Sequence, residues 1–266
     1  METIRVAASG AKGRMGREVC RTVLEDPALE LVGAFDIHGQ GEDIGSAVGK
    51  GETGIVVADL NRETLSASGA QVLVDFSTPA AVLENIHLAL DCRVRPVVGT
   101  TGLTREDLAQ LRQRVEAAGL GAVIAPNFAL GAVLMMKFST LAARYLPQAE
   151  IIEMHHDQKI DAPSGTALKT AELIAAARTR PPVEREDLYK LAGVRGGVQE
   201  GVHIHSVRLS GLIAHQMVIF GGLGQTLTLR HDSYDRTSFM PGVVLAVKHV
   251  LETNQLVYGL EHLLEF

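Results

Sequence analysis

A glycine-rich turn near the N-terminus limits the folds that are open to this chain of 266 residues. The apolar run at residues 4–8 predicts a short buried strand, and a turn at residues 10–16 (GAKGRMG) follows it directly. Beyond the turn, apolar residues keep helical spacing until Asp26 and Pro27 end the pattern. Because glycine lets the backbone bend sharply and approach a ligand closely, the segment predicts the opening of a βαβ unit.

The next apolar run, residues 29–35, leads to Asp36, which lies about 20 residues after Gly16. An acid at this distance is typical of dinucleotide-binding units, in which the glycine turn holds the pyrophosphate and the acid binds ribose hydroxyls. The spacing is G-x-x-G-x-x-G, whereas G-x-G-x-x-G is more common, so an ordinary glycine-rich turn is the alternative. The place of the turn between a strand and a helix favours dinucleotide binding.

Strand and helix patterns alternate after a glycine-rich stretch at residues 38–52 that predicts a loop. Thr78 and Pro79 predict the N-cap and first residue of one helix, and Thr104 and Gly119 predict the start and end of another. The alternation predicts an α/β fold with a doubly wound parallel sheet. The further strands are predicted at residues 54–57, 72–76, 96–98 and 121–125.

Three loops follow predicted strands at the carboxyl edge of this sheet, where ligands of doubly wound folds bind. They lie at residues 76–78, 99–102 and 125–128. The second offers hydroxyls and open backbone for ribose or nicotinamide, and the third offers an amide and an aromatic face. Each could equally be a plain turn, so they are weaker candidates than the glycine turn.

A second domain is predicted to begin near Asn127, where the pattern changes. A helix through Leu134 and Leu141 comes first, and a polar loop is predicted at residues 178–201. The sequence QTLTLRH alternates apolar and polar residues, which predicts a strand with one buried face. A final helix at residues 241–251 is expected to return to the first domain. The predicted strands are residues 149–154, 203–209, 214–220 and 225–231, with a helix at 164–177 and a hairpin at 221–224; the predicted domains are residues 1–126 with 237–266, and residues 127–236.

Residues 153–167 (EMHHDQKIDAPSGTA) contain two adjacent imidazoles, one ammonium and a Ser-Gly-Thr turn between a predicted strand and a predicted helix. His155, His156 and Lys159 are expected on the connecting loop. The helix N-terminus at Gly165 and Thr166, with nearby hydroxyls, suits a carboxylate. Imidazole changes charge near neutral pH, which suits proton transfer. An ordinary loop leading into a helix is the alternative, and a metal site is disfavoured because adjacent histidines diverge on a strand and no Cys or HExxH spacing accompanies them.

The composition argues against several classes of partner. The chain has 25 basic and 31 acidic residues, no basic run and 4% aromatic residues, which argues against nucleic acid. No apolar run is long enough for a membrane span or a signal peptide, so a cytoplasmic location is expected. Cys20 and Cys92 lack CxxC spacing and are expected to be free thiols without a metal.

The stretch EMHHDQKIDAPSGTA closely resembles the signature E-x-H-H-x-x-K-x-D-A-P-S-G-T-A of the 4-hydroxy-tetrahydrodipicolinate reductases, the dihydrodipicolinate reductase family. The resemblance implies a Rossmann-like N-terminal domain and a central α/β domain whose mixed sheet assembles a homotetramer. It also implies reduction of a small dicarboxylate, 4-hydroxy-tetrahydrodipicolinate, by NADH or NADPH in lysine and diaminopimelate biosynthesis. Further resemblance lies at residues 10–16, 74–78 (VDFST), 98–102 (VGTTG), 125–128 (APNF) and 230–242.

The resemblance also implies a role for individual residues. His155 would donate the proton, and Lys159 would assist protonation and hold a substrate carboxylate. The residues implied in substrate binding are His156, Ser164, Gly165 and Thr166. The residues implied in cofactor binding are Gly10, Ala11, Lys12, Gly13, Arg14, Met15, Asp36, Gly99, Thr100, Thr101, Ala125, Pro126, Asn127 and Phe128.

The cofactor preference stays open because the sequence departs from part of the family. Some members place Arg after the ribose-binding acid, where it meets the 2′-phosphate of NADPH, but Ile37 and His38 follow Asp36 here. Lys12 is another candidate partner for that phosphate, so use of both cofactors is expected.

Two other functions fit a two-domain dinucleotide-binding chain. One is a related dehydrogenase of the aspartate or homoserine type, against which only the signature at residues 153–167 argues. The other is a non-catalytic sensor of the NADH/NAD ratio, which would be expected to carry an attached nucleic-acid-binding or partner-binding element.

Overall fold

The computed structural model describes residues 3–181 and 188–264. The chain divides into two compact units. Unit 1 runs as far as Phe128 and resumes at Phe239, and unit 2 is Ala129–Ser238. The boundaries predicted above lie at residues 126/127 and 236/237. None of the helices in the described ranges is long and apolar enough to cross a membrane.

The elements follow the chain in alternating order. The strands are β1 (Ile4–Ser9), β2 (Leu29–Phe35), β3 (Val57–Ala58), β4 (Val72–Asp75), β5 (Arg95–Val98), β6 (Ala122–Ile124), β7 (Gln148–His155), β8 (Gly197–Gln199), β9 (Val202–Arg208), β10 (Ala214–Gly222), β11 (Gln225–Ser233) and β12 (Leu256–Tyr258). The helices are α1 (Arg14–Glu25), α2 (Ile44–Ala47), α3 (Arg62–Ser68), α4 (Val82–Asp91), α5 (Arg105–Ala118), α6 (Leu130–Ala143), α7 (Gly165–Ala177) and α8 (Met240–His249). Short 3₁₀ helices lie at Arg236–Phe239 and Leu260–His262.

Unit 1 contains a seven-stranded sheet in the order β12-β6-β5-β4-β1-β2-β3. Neighbouring strands in it pair in parallel, which confirms the predicted doubly wound sheet. The direction of winding reverses between β1 and β4, and ligands of such sheets bind at that reversal. Buried Ile86 of α4 and Leu111 of α5 join Val98 of β5 in one core cluster.

Unit 2 contains a five-stranded sheet in the order β11-β10-β7-β9-β8. Strand β7 pairs in parallel with β9 and antiparallel with β10, so the sheet is mixed, as the resemblance implied. Ile151 and Val218 of the sheet share a core with Ala171 and Ile174 of α7. The sequence thus predicted the fold class of both units correctly.

One predicted helix start is confirmed and another is wrong. Thr104 caps α5 by accepting the N–H of Asp107 at 3.1 Å, Asp107 accepts the N–H of Thr104 at 2.8 Å, and Gly119 ends the helix with φ 60°. Thr78 is not an N-cap. Its carbonyl accepts the N–H groups of Ala81 and Val82 at 3.1 and 3.0 Å, so residues 78–81 form a turn and α4 begins afterwards.

The glycine-rich stretch predicted as a loop contains α2, and the strand predicted at residues 54–57 is reduced to β3. Asp43 explains both differences. One of its oxygens caps α2 through the N–H of Ser46 at 2.9 Å, and the other accepts the N–H groups of Thr53 and Gly54 at 3.0 and 2.7 Å. The carboxylate therefore holds residues 53 and 54 in a loop.

Two predictions for unit 2 also need correction. The polar loop predicted at residues 178–201 contains β8, and residues 182–187 of that prediction lie outside the described residues. The apolar side of β11 is only partly buried: Leu229 packs against the unit 2 core, but Leu227 is 40% exposed. Strand β11 is at the edge of the sheet, and its apolar side is covered only in part within one chain.

Candidate active site

The glycine turn of unit 1 is built at a close approach between β1, β4 and α1. Gly10 has φ +73°, and a Cβ on it would lie 2.5 Å from the carbonyl oxygen of Phe76. A Cβ on Gly16 would lie 2.0 Å from the Gly10 carbonyl oxygen, so only glycine fits at either position. The N–H groups of the first turn of α1, beginning at Arg14, have no acceptor within the helix and form an anion-binding end.

Asp36 is tied directly to this turn. Its Oδ2 accepts the backbone N–H of Lys12 at 2.8 Å, and its Oδ1 accepts the N–H of His38 at 3.0 Å. A carboxylate has about four lone-pair positions, so each oxygen can still accept a ribose hydroxyl. Gly13 and Arg14 are exposed, Met15 is half-buried and Ala11 is buried. The turn and the acid thus fit the pyrophosphate and ribose of a dinucleotide.

The side chain of Lys12 is directed to an acid. Its ammonium forms an ion pair with Glu42, and a Cβ on Gly39 would lie 2.8 Å from Lys12 Cε. The sequence suggested Lys12 as a partner for a 2′-phosphate. In the structure its ammonium is already paired with Glu42. Ile37 is 77% exposed beside Asp36.

A buried carboxylate organises the loops after β4 and β5. Asp75 is 1% exposed and accepts the Ser77 hydroxyl at 2.8 Å, the Thr100 hydroxyl at 2.8 Å and the Asn85 amide at 2.7 Å. The Thr100 hydroxyl proton is therefore used inside the protein. Thr100 can meet a ligand through its backbone or as an acceptor, and its neighbour Thr101 is exposed.

The predicted aromatic face of the third loop is not available to a ligand, and that part of the prediction is wrong. The ring of Phe128 is 1% exposed and packs against the Phe76 ring with centroids 5.7 Å apart. A Cβ on Gly99 would lie 2.1 Å from the Phe76 ring, so this cluster fixes the loop after β5 as well. Ala125 is buried, Asn127 is half-buried and Pro126 is exposed.

In unit 2, His155 is the last residue of β7, whereas the sequence placed it on the following loop. The strand extends to this residue because His155 pairs with Ala214 of β10 and Arg208 of β9. Residues two apart on a strand share a face, so Glu153 and His155 point the same way. His156 lies beyond the strand and is exposed.

Glu153, Arg208 and His155 form one hydrogen-bonded cluster. Glu153 is completely buried, and its two oxygens accept Nη2 and Nη1 of Arg208 at 2.8 and 3.0 Å. Its Oε2 also lies 2.5 Å from Nδ1 of His155. The side chain of His155 is 16% exposed.

The surroundings shift both titratable groups of this cluster. Burial alone would raise the pKa of Glu153, but hydrogen bonds from Arg208 and Ser206 and from the imidazole hold that pKa below its ordinary value. Burial lowers the pKa of His155. The Glu153 carboxylate opposes this effect, while the charges of Lys159 and Arg208 add to it.

The loop after β7 is anchored by Lys159. Its ammonium contacts both oxygens of Asp161 at 2.6 and 2.7 Å, and the carbonyl of Asp161 accepts Arg208 Nη2 at 2.7 Å. The ion pair with Lys159 lowers the pKa of Asp161. The Lys159 side chain is 21% exposed, so the ammonium is held but still reachable.

Helix α7 begins at Gly165, where the sequence predicted a helix N-terminus. Ser164 is the N-cap, and its hydroxyl oxygen accepts the N–H of Ala167 at 3.2 Å. A Cβ on Gly165 would meet no atom within 4 Å, so the space at the helix N-terminus is open. Thr166 is the next residue of the first turn and is half-buried. This end of α7 presents the positive end of its dipole to an anion.

Sequence reasoning gave no role to Glu153, Arg208, Asp75 or Asn85. The period of two along β7 was the available signal for Glu153, and an acid at the end of the apolar run VLVD was the signal for Asp75. The pairing of Arg208 with His155 depends on the register of β7 and β9, which no local pattern indicates.

Comparison with known proteins identifies the family. Residues 4–128 match the family model described as Dihydrodipicolinate reductase, N-terminus, and residues 131–264 match Dihydrodipicolinate reductase, C-terminus. A protein of Moorella thermoacetica named 4-hydroxy-tetrahydrodipicolinate reductase is 53% identical over 264 residues, 99% of each chain. One of Desulfitobacterium hafniense with the same name is 52% identical over 268 residues, 100% of each chain.

Solved structures agree with the sequence comparison. A dipicolinate-bound dihydrodipicolinate reductase from Paenisporosarcina sp. TG-14 superposes with TM-score 0.89 at 49% identity, covering 98% of this chain and 100% of that one. An amine dehydrogenase from Mycobacterium smegmatis shares the fold alone, with TM-score 0.67 at 15% identity, covering 94% of this chain and 93% of that one. The resemblance noted in the sequence is confirmed, and the chain belongs to the dihydrodipicolinate reductase family.

Proposed function

We propose that this protein reduces 4-hydroxy-tetrahydrodipicolinate to tetrahydrodipicolinate with NADH or NADPH, a step of lysine and diaminopimelate biosynthesis. The full-length identity of about half to relatives with that reductase name is the observation that carries the proposal. The solved reductase from Paenisporosarcina is bound to dipicolinate, which supports a small, planar dicarboxylate as ligand here.

The residues of unit 2 suit such a substrate. We assign one substrate carboxylate to the start of α7, where Ser164, Gly165 and Thr166 lie at the positive end of the helix. Lys159 supplies a cation and His156 an exposed imidazole from the same loop. His155, with Nδ1 held by Glu153, is proposed to donate the proton from its other nitrogen.

The residues of unit 1 suit a nicotinamide dinucleotide, which supplies the hydride when bound. Gly10 to Met15 would hold the pyrophosphate at the N-terminus of α1, and Asp36 would accept the ribose hydroxyls. Gly99, Thr100 and Thr101, with the backbone of residues 125–128, would line the nicotinamide half. The tight contacts of Gly10, Gly16 and Gly99 support this assignment because they bring the backbone close to the ligand edge of the sheet.

We further propose a homotetramer assembled through the unit 2 sheet, in the cytoplasm. Leu227 at the edge of that sheet is 40% exposed, which supports cover by another copy. Light scattering after size exclusion would test the assembly, and a monomer at micromolar concentration would refute it.

The decisive assay follows NADH and NADPH oxidation with freshly generated 4-hydroxy-tetrahydrodipicolinate. Turnover with this substrate and inhibition by dipicolinate are expected. Oxidation of homoserine, or reduction of aspartate-type substrates at a higher rate, would instead support the related dehydrogenase. Cofactor binding without turnover of any of these substrates would support the redox sensor.

A further inference from the structure

We propose that Glu153, clamped by Arg208, is a positioning residue that fixes which nitrogen of His155 carries the transferred proton. The inference rests on the proposed function, in which His155 is the proton donor. Glu153 is completely buried on the same face of β7 as His155, and β9 supplies Arg208 directly beside the imidazole. The cluster lies wholly within unit 2.

The hydrogen bonds determine the form of the imidazole. An ionised carboxylate only accepts hydrogen bonds, so the 2.5 Å contact from Glu153 Oε2 requires a hydrogen on Nδ1 of His155. Nδ1 is therefore protonated in both the neutral and the charged ring. The proton that the ring loses and regains is therefore the one on Nε2.

This arrangement defines the proton step. When the substrate has accepted a hydride, the Nε2–H bond of the imidazolium breaks, its electron pair stays on Nε2 and the proton passes to the substrate. The ring is left neutral with its hydrogen on Nδ1, still bound to Glu153. Solvent then returns a proton to Nε2, so the ring does not need to turn between cycles.

Arg208 opposes the effect of the Glu153 carboxylate, which stabilises the charged form of the His155 ring. Glu153 alone favours the imidazolium, whereas the guanidinium beside it favours the neutral ring. Lys159 also faces His155 with a positive charge, and Asp161 in turn pairs with Lys159. Glu153 and Arg208 therefore act on His155 in opposite directions, which gives the inference a specific test.

Strand β7 provides a matched control on its other face. Glu150 contacts an arginine and a histidine, Arg195 at 2.5 Å and His205 Nε2 at 2.9 Å. That glutamate side chain is 36% exposed and lies away from the proposed proton donor. Glu150→Gln therefore makes the same chemical change on the same strand without altering the Glu153 cluster.

The experiment measures kcat/KM against pH for the parent protein, Glu153→Gln, Arg208→Met and Glu150→Gln. Loss of the carboxylate moves the alkaline fall in activity to lower pH, so Glu153→Gln loses about tenfold or more of its activity on the alkaline side and recovers part of it on acidification. Loss of the guanidinium moves the fall to higher pH. In Glu150→Gln the alkaline fall stays at the same pH as in the parent protein. KM for the cofactor stays the same in each variant.

A second measurement does not depend on turnover. In the parent protein labelled with ¹⁵N-histidine, the His155 ring, assigned by its loss in His155→Gln, shows hydrogen on Nδ1 in the neutral form. Hydrogen on Nε2 alone would overturn the inference even if both variants failed to fold. Equal activity losses at every pH would also overturn the inference. So would an alkaline fall that moves in the same direction for Glu153→Gln and Arg208→Met. Absence of any reductase activity in the parent would reject the proposed function. The ¹⁵N measurement would then decide by itself whether Glu153 holds the hydrogen on Nδ1 of His155.

Discussion

The backbone N–H of Lys12 donates a 2.8 Å hydrogen bond to Asp36, which joins the glycine turn to the acid at the end of β2. The same lysine turns its side chain away to pair with Glu42. At the proposed cofactor site, three charged groups in this part of unit 1 are therefore expected to set the choice between NADH and NADPH. Asp36 would repel a 2′-phosphate, Lys12 would attract it, and Glu42 would compete with it for the ammonium.

We predict that the protein uses both cofactors with less than about tenfold discrimination, which corresponds to about 1.4 kcal/mol. Glu42→Gln frees Lys12 and should shift the ratio of kcat/KM values toward NADPH by several-fold, the scale of roughly 0.2–1 kcal/mol for an exposed ion pair. Lys12→Ala should shift it toward NADH. The control is Glu25→Gln, which removes an exposed acid paired with Lys50 in the same unit. An unchanged ratio in both Glu42→Gln and Lys12→Ala would show that other groups hold the phosphate.

The parts of unit 1 that follow from the sequence are those fixed by neighbouring residues. Both caps of α5 were predicted because each depends on local residues: Thr104 and Asp107 bond within one helical turn at the start, and Gly119 adopts a positive φ at the end. The predicted N-cap at Thr78 failed because the Thr78 carbonyl accepts the N–H groups of Ala81 and Val82, so a separate turn precedes α4. A Thr-Pro pair is compatible with either a helix start or a turn, so the local pattern did not distinguish them.

The candidate site in unit 2 divides in the same way. The strand, loop and helix start around His155, Lys159 and Ser164 could be predicted because they are continuous in sequence. Glu153 could have been assigned from the alternation of β7. Arg208 could not, because its place beside His155 is set by the pairing of two strands separated by α7 and a long polar segment.

The assigned proton donor is tested by His155→Gln. This variant should lower kcat by roughly 10²-fold or more, the usual scale for removing a general acid, with little change in cofactor affinity. Because burial lowers the pKa of His155, and only the protonated ring donates, parent activity should fall as pH rises through a pKa below the ordinary histidine value. That fall should be absent in the variant. His205→Gln, which removes a histidine hydrogen-bonded to Glu150, should keep normal turnover. Near-normal turnover of His155→Gln would contradict the assignment of His155 as the proton donor.

Lys159 is expected to bind a substrate carboxylate as a point charge. Lys159→Ala should lower kcat/KM and weaken inhibition by dipicolinate, each by roughly tenfold or more, since a hydrogen bond to a charged group contributes about 1.5–3 kcal/mol. Inhibition constants measured at two salt concentrations would check the ionic character. Lys169→Ala removes an exposed lysine paired with Glu172 on α7 and should leave the inhibition constant unchanged. If both variants bind dipicolinate like the parent, Lys159 serves only to hold Asp161.

Asp43 should make part of the stability of unit 1 dependent on pH. Hydrogen bonds from the backbone of Ser46, and then from Thr53 and Gly54, lower the pKa of this carboxyl. A depressed folded-state pKa stabilises the protein above the unfolded value of about 3.9, and the contribution is lost as pH falls through the folded value. Asp43→Asn should therefore lower the unfolding temperature at about pH 7 and lower it less as the pH approaches about 3, because protonation then weakens the parent as well. Glu52→Gln changes an exposed acid in the same loop and should show no such convergence. A constant difference between parent and Asp43→Asn across this range would show that shape, and not charge, makes Asp43 important to the loop.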